Sequence, residues 1–135
     1  MTQRSKTLTG LVAAIVILLV LAGCASEPSL TPGTYTSTIT REDSTSYGFI
    51  GEWELTLTEE NGYTVSKDGQ VDEKGNYTLT QDQIVFDQTE AMFACGGDGT
   101  YQWASDGKTL TLTTVEDQCE GRPFTFTTHA WSQQD

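Results

Sequence analysis

Beyond Gly33, turn signals recur about every 8–12 residues, and the runs between them show no useful helical periodicity. Those runs are rich in Thr, Tyr, Val and Trp, so a chain punctuated this way can bury an apolar face only by pairing strands. The spacing predicts strands over roughly 33–41, 48–58, 62–67, 71–80, 83–87, 99–104, 108–115 and 123–131. Facing residues must bury the same side, so each turn implies a register that can be tested. Asp106-Gly107 as a two-residue turn sets Trp103 opposite Leu110 and Tyr101 opposite Leu112, with Thr100, Gln102, Thr111 and Thr113 on the other face. Gln81-Asp82 pairs Leu79 with Ile84 and Tyr77 with Phe86. Glu60-Asn61-Gly62, with Gly62 left-handed, pairs Leu57 with Val65. Asp68-Gly69 fits badly: it sets Val65 against Asp72, and a bulge or irregular loop is expected near 68–75. Gly33-Thr34-Tyr35, Gly62-Tyr63, Gly75-Asn76-Tyr77 and Gly99-Thr100-Tyr101 read as a glycine leaving a turn and an aromatic entering the core. Eight strands joined mostly by tight turns make an all-β, up-and-down antiparallel barrel, closed to remove its edges. Its interior is just wide enough for side chains or one small ligand.

Ahead of this domain, basic Arg4 and Lys6 precede an apolar stretch from Leu8 to Leu21, followed by Ala22, Gly23 and Cys24. That stretch is short of the roughly 20 residues a membrane span needs and has the layout of a secretory signal peptide. The run Leu21-Ala22-Gly23-Cys24 resembles the lipobox of bacterial lipoproteins. The resemblance implies a signal-peptide helix at 1–23, cleavage before Cys24, diacylglyceryl on its sulfur and an acyl chain (palmitate, for example) on the new amine. Two or three chains hold a protein firmly to a bilayer. The expected location is therefore the cell membrane, lipid-anchored, facing the extracytoplasmic side. Residues 24–32, with Pro28 and Pro32, form a polar tether, and 33–135 form the barrel domain.

Setting Cys24 aside for lipid leaves Cys95 and Cys119, which outside the cytoplasm are expected to form a disulfide. Extending the 101–112 ladder outward sets Cys95 opposite Gln118, one place from Cys119, and Gly96-Gly97-Asp98-Gly99 can absorb a one-residue bulge. Two free thiols or a metal site are the alternatives. Nineteen Asp and Glu stand against seven Lys and Arg. Cleavage removes Arg4 and Lys6 and takes the formal charge from −12 to −14. That balance argues against nucleic acid and against an anionic bilayer surface, and suits a solvated acidic face or a cationic protein partner.

Gly33-Thr34-Tyr35, Gly75-Asn76-Tyr77 with Asp82-Gln83-Ile84-Val85-Phe86, Gly99-Thr100-Tyr101-Gln102-Trp103 with Asp106-Gly107-Lys108-Thr109-Leu110-Thr111-Leu112, and Cys119-Glu120-Gly121-Arg122 together resemble the small lipocalin-like (calycin-type) domains of bacterial lipoproteins. Tyr35 stands where lipocalins usually carry tryptophan, and Gly51-Glu52-Trp53 comes a strand later. No nucleophile–base–acid set stands out, so no catalytic residue, cofactor or metal ligand is assigned and no enzyme is expected. His129 is the single histidine and has no recognisable partner. Glu52/Glu54, Glu59/Glu60, Asp72/Glu73 and Glu116/Asp117 read as exposed carboxylate pairs. Asp68, Asp72, Glu73 and Asn76 offer oxygens to calcium or form a polar turn. Trp53, Tyr63, Tyr77, Phe86, Tyr101 and Trp103 share inward faces with Leu55, Leu57, Leu79, Leu110 and Leu112. They are either a packed core or the lining of a cavity for a small apolar or amphipathic molecule. The expectation is a monomeric, membrane-anchored binding barrel. The alternative is an acidic protein-interaction or inhibitor module for a cationic envelope partner. Cys24→Ser should leave an uncleaved precursor without a palmitate label; normal processing contradicts the lipobox reading.

Overall fold

The computed structural model describes residues 29–91 and 97–135. The expected signal peptide, Cys24, the first part of the tether and Cys95 lie outside the described residues. Eight strands form: β1 Gly33–Ile39, β2 Gly51–Leu57, β3 Gly62–Lys67, β4 Gln70–Leu79, β5 Gln83–Ala91, β6 Gly99–Ser105, β7 Thr109–Asp117 and β8 Trp131–Gln133. A short helix, α1 Gly121–Thr127, lies between β7 and β8. Each strand pairs antiparallel with its chain neighbours, and β8 returns to β1, so the sheet closes as an up-and-down barrel.

The closing seam is thin. β8 pairs through Ser132 and Gln133 with β1, and through Trp131 and Ser132 with β7. Backbone bonds from Gln133 N to Lys108 O (2.7 Å) and from Gln134 N to Thr34 O (2.8 Å) extend it. Residues 123–131, read from sequence as the eighth strand, hold instead most of α1, a short connection and the first residue of the three-residue β8. Phe124, Thr125 and Phe126 favour strands locally, but packing overrides that preference. Arg122, Thr125 and Phe126 are buried, a spacing that shares one helical face. Pro123 sits in the first turn, where its missing N–H has no intrahelical acceptor to lose. Phe126 then packs edge-on against Phe86 at 4.9 Å and lies 5.3 Å from Tyr101.

Two hairpins differ in register from the sequence expectation. In one, Asn61 rather than Gly62 takes the left-handed conformation (φ 64°), and Leu57 faces Tyr63 while Leu55 faces Val65. Asparagine reaches that region with little strain, so the Asn-Gly signal places the turn one residue early. In the other, the Asp106 carboxylate accepts from Lys108 N (2.9 Å) and Thr109 N (2.7 Å), which moves the turn onward and pairs Trp103 with Leu112. Both slips are two residues. Side chains alternate with period two, so an even slip leaves Tyr63, Val65, Tyr101, Trp103, Leu110 and Leu112 on the core face. The third hairpin has the expected pairs, Leu79 with Ile84 and Tyr77 with Phe86. Leu79, however, lies at the strand end and is exposed.

The misfit at 68–75 is a bulge. Asp68 (φ 50°) and Gly69 (φ 81°) make the mirror-type turn that hairpins prefer. Ser66 faces Val71, but Val65 faces Glu73, so Asp72 is the extra residue and Glu73 turns into the barrel. A second shift follows between Lys74 and Gly75. Gly75 therefore lies inside β4 and does not head a strand as its Gly-Asn-Tyr context suggested. A Cβ there would stand 2.0 Å from the Asp87 carbonyl oxygen and 2.9 Å from a Tyr63 ring carbon. Gly75→Ala should cost about 3 kcal/mol in urea unfolding; unchanged stability contradicts this packing.

Candidate functional site

A cavity of about 300 Å³ lies at the barrel end where the β1–β2, β3–β4 and β7–α1 connections meet. Phe49, Trp53, Val65 and Phe126 supply apolar walls, and Asp72, Glu73 and Arg122 supply charge. Each wall residue is positioned by the fold. Trp53 points inward by strand alternation, and its indole Nε1 donates to the Phe49 carbonyl at 2.7 Å, fixing the end of the 40–50 connection. Phe49 in turn packs on Phe124 of α1 at 4.9 Å. The bulge delivers Glu73, and the helical face of α1 delivers Arg122, Thr125 and Phe126.

Arg122 is buried and organises the base of the cavity. Nε donates to Asp117 Oδ2 at 2.6 Å and Nη2 to Asp117 Oδ1 at 2.9 Å, a two-pronged contact that suits the planar guanidinium. Nη2 also reaches the Gly97 carbonyl at 3.1 Å, and Nη1 reaches Glu73 Oε1 at 3.3 Å. Tyr63 donates its hydroxyl to Glu73, and Tyr101 donates its own to Asp117. Gly99 makes room for the ion pair: a Cβ there would lie 2.3 Å from Asp117 Oδ2 and 2.9 Å from Arg122 Nε.

The ionisation states follow from these contacts. Burial works against the Asp117 charge, but the Arg122 and Tyr101 hydrogen bonds and the Cys119 N–H outweigh it and hold the carboxyl below its usual 3.8. Burial likewise disfavours the Arg122 cation, and the bonds to Asp117 with the Glu73 and Asp117 charges more than restore it. Burial and then their carboxylate partners push the Tyr63 and Tyr101 hydroxyls far up, so both remain donors. Asp72, beside the cavity, is raised by burial, with Lys67 opposing.

Of the six aromatics singled out from sequence, Trp53 lines this cavity. Tyr63, Phe86 and Tyr101 form an aromatic cluster with Phe126 beneath it. Tyr77 and Trp103 serve the opposite end, where they hydrogen-bond the carbonyls of Thr58 (2.9 Å) and Thr80 (3.1 Å). Glu52 and Glu54 are exposed. Asp72 and Glu73 depart from the exposed-pair reading, since Glu73 is buried and Asp72 half-buried. Asp117 is also buried, at the heart of the ion cluster. The oxygens weighed for calcium are dispersed: Asp68 caps Glu52 N at 2.9 Å and Glu73 faces Arg122. Among the described residues, no group of three His, Cys, Asp or Glu is arranged to hold a metal. His129 Nε2 lies 2.9 Å from Asp43, whose carboxyl is held down to about 2 by that hydrogen bond and those from Thr40. Cys119 is buried beside the cavity, while Cys95 lies outside the described residues.

No family model, curated protein or solved structure matches this chain. The class defined by the geometry alone is an eight-stranded up-and-down antiparallel barrel with a charged-base cavity at one end, compatible with a lipocalin-like barrel.

A depressed aspartate stabilises the fold fully above its unfolded value of 3.8, and that contribution is lost as pH falls through the lower folded value. Asp117→Asn should cost about 3–5 kcal/mol at pH 7, because it strands Arg122 in the interior. It should also flatten the acid side of the stability curve. Urea unfolding at pH 7 and pH 3 checks both; an acid limb parallel to that of the parent protein contradicts the assignment.

Proposed function

We propose that this protein is a lipid-anchored, extracytoplasmic, lipocalin-like barrel that binds one small amphipathic molecule in the cavity against Trp53. The observation that carries the reading is the cavity: about 300 Å³, walled by Phe49, Trp53, Val65 and Phe126 over a charged base. Apolar walls with a few convergent polar groups are the usual design of a small-molecule site, and this volume is at the small end of such sites. Anchorage rests on the Leu21-Ala22-Gly23-Cys24 run. Leu30 is buried in the core and the Tyr35 hydroxyl donates to the Thr31 carbonyl, which fastens the start of the domain opposite the cavity. A lipid on Cys24, six residues before Leu30, would then direct the cavity away from the bilayer. The same reading pairs Cys95 with Cys119. Supporting it, Arg122 ties the Gly97 carbonyl to the cluster beside Cys119. The acidic interaction module has net charge alone behind it, and the cavity favours a binder. We also read the protein as a binder and not an enzyme.

The test is energy transfer from tryptophan to N-pentyl dansylamide, using the anchored protein in phosphatidylcholine vesicles with protein-free vesicles subtracted. One-site saturation is expected, weakened about tenfold or more by Val65→Phe, which fills the cavity. Absence of saturation, or Val65→Phe binding unchanged, contradicts the reading.

A further inference from the structure

We infer that the cavity selects a ligand carrying a cationic amine beside its apolar body, with the ammonium seated between Asp72 and Glu73. This rests on the binding reading above and specifies its ligand class. The base of the cavity is not electrically balanced: one guanidinium, Arg122, faces two carboxylates, Asp117 and Glu73. Asp117 takes both prongs of that guanidinium, whereas Glu73 receives a single, longer contact through Oε1. Oε1 also accepts from Tyr63. Among the described residues, no hydrogen bond reaches Glu73 Oε2, although the side chain is only 8% exposed and lines the cavity. That oxygen keeps access to solvent at the cavity wall as an unused acceptor, and a ligand that brings a charged donor gives it a charge-assisted bond in place of water.

Asp72 adds a second acceptor on the same wall. It is the bulged residue, half-buried, and among the described residues nothing hydrogen-bonds its carboxylate. Burial raises its pKa, in keeping with a carboxylate that has lost water without gaining a donor. Consecutive strand residues normally point to opposite faces; the bulge brings both carboxylates to one cavity. Arg122 is the competing feature, since its cation disfavours an ammonium and favours an anion. It is already neutralised by Asp117, and three of its four hydrogen bonds go to Asp117 and the Gly97 carbonyl. An ammonium has three donors and no acceptor, which matches the Asp72 carboxylate and the one Glu73 oxygen that accepts no hydrogen bond. An alcohol satisfies one of them, and a carboxylate would meet them with like charge.

Three dansylamides with matched five-carbon tails test this in the same vesicles: one ends in an ammonium, one in a methyl and one in a carboxylate. The ammonium form is expected to bind about tenfold tighter than the methyl form, with the carboxylate weakest. Asp72→Asn should remove most of the advantage of the ammonium form over the methyl form. Equal binding of all three overturns the inference and leaves the pocket reading standing. Tightest binding by the carboxylate also overturns it and makes Arg122 the anchor. Persistence of the full ammonium advantage in Asp72→Asn overturns it as well, since the preference would then come from the overall acidic field. Failure of all three to saturate removes the pocket reading and this inference together.

Discussion

The buried guanidinium of Arg122 is the contact on which the rest of the barrel end depends. It sits on a helix of seven residues, too short to persist without tertiary packing. Through Asp117 it joins that helix to β7, through Glu73 to β4, and through Gly97 to the chain leading into β6. Tyr63 and Tyr101 bring β3 and β6 into the same cluster as donors. A buried ion pair of this kind is weak evidence of stability relative to an apolar substitute, yet removing one partner leaves an uncompensated charge. Its value here is positional: it sets where α1 ends up.

That placement creates the cavity. α1 lies over one end of the barrel with Phe126 packed into the aromatic cluster, while Phe124 meets Phe49 on the opposing connection. The far end is filled instead, by Leu30, Tyr77 and Trp103 with their hydrogen bonds to loop carbonyls. A barrel of eight strands has little interior to spare, so space at one end requires that side chains there be held back from collapse. The ion cluster does this by tying Arg122 to Asp117 outside the void, and the Trp53–Phe49 bond by fixing two wall residues to each other.

Much of the fold is legible in the sequence because period-two alternation is robust. The hairpins at 57–63 and 103–112 slip by two residues from the sequence reading, and every inward residue stays inward. The bulge announced itself as a failed register at Val65 and Asp72, though the failure did not reveal that Glu73 would be buried as a result. The helix was not legible: Phe-Thr-Phe-Thr alternates like a strand, and only tertiary packing of Arg122, Thr125 and Phe126 decides otherwise. The site was legible in one residue, Trp53. Arg122 offered a faint signal as one of five basic residues beyond Cys24, but its carboxylate partners lie 5 and 49 positions away, a pairing that no local pattern encodes.

The anchoring of α1 by Arg122 and Phe126 is tested most directly by native-state hydrogen exchange at the Thr128 amide, which bonds the Phe124 carbonyl at 3.1 Å. A helix locked to the barrel opens only with the barrel, so Thr128 should exchange nearly as slowly as the central amides of β6. Exchange at the rate of an exposed loop would mean that α1 frays independently, and that the buried ion cluster does not govern this end of the structure.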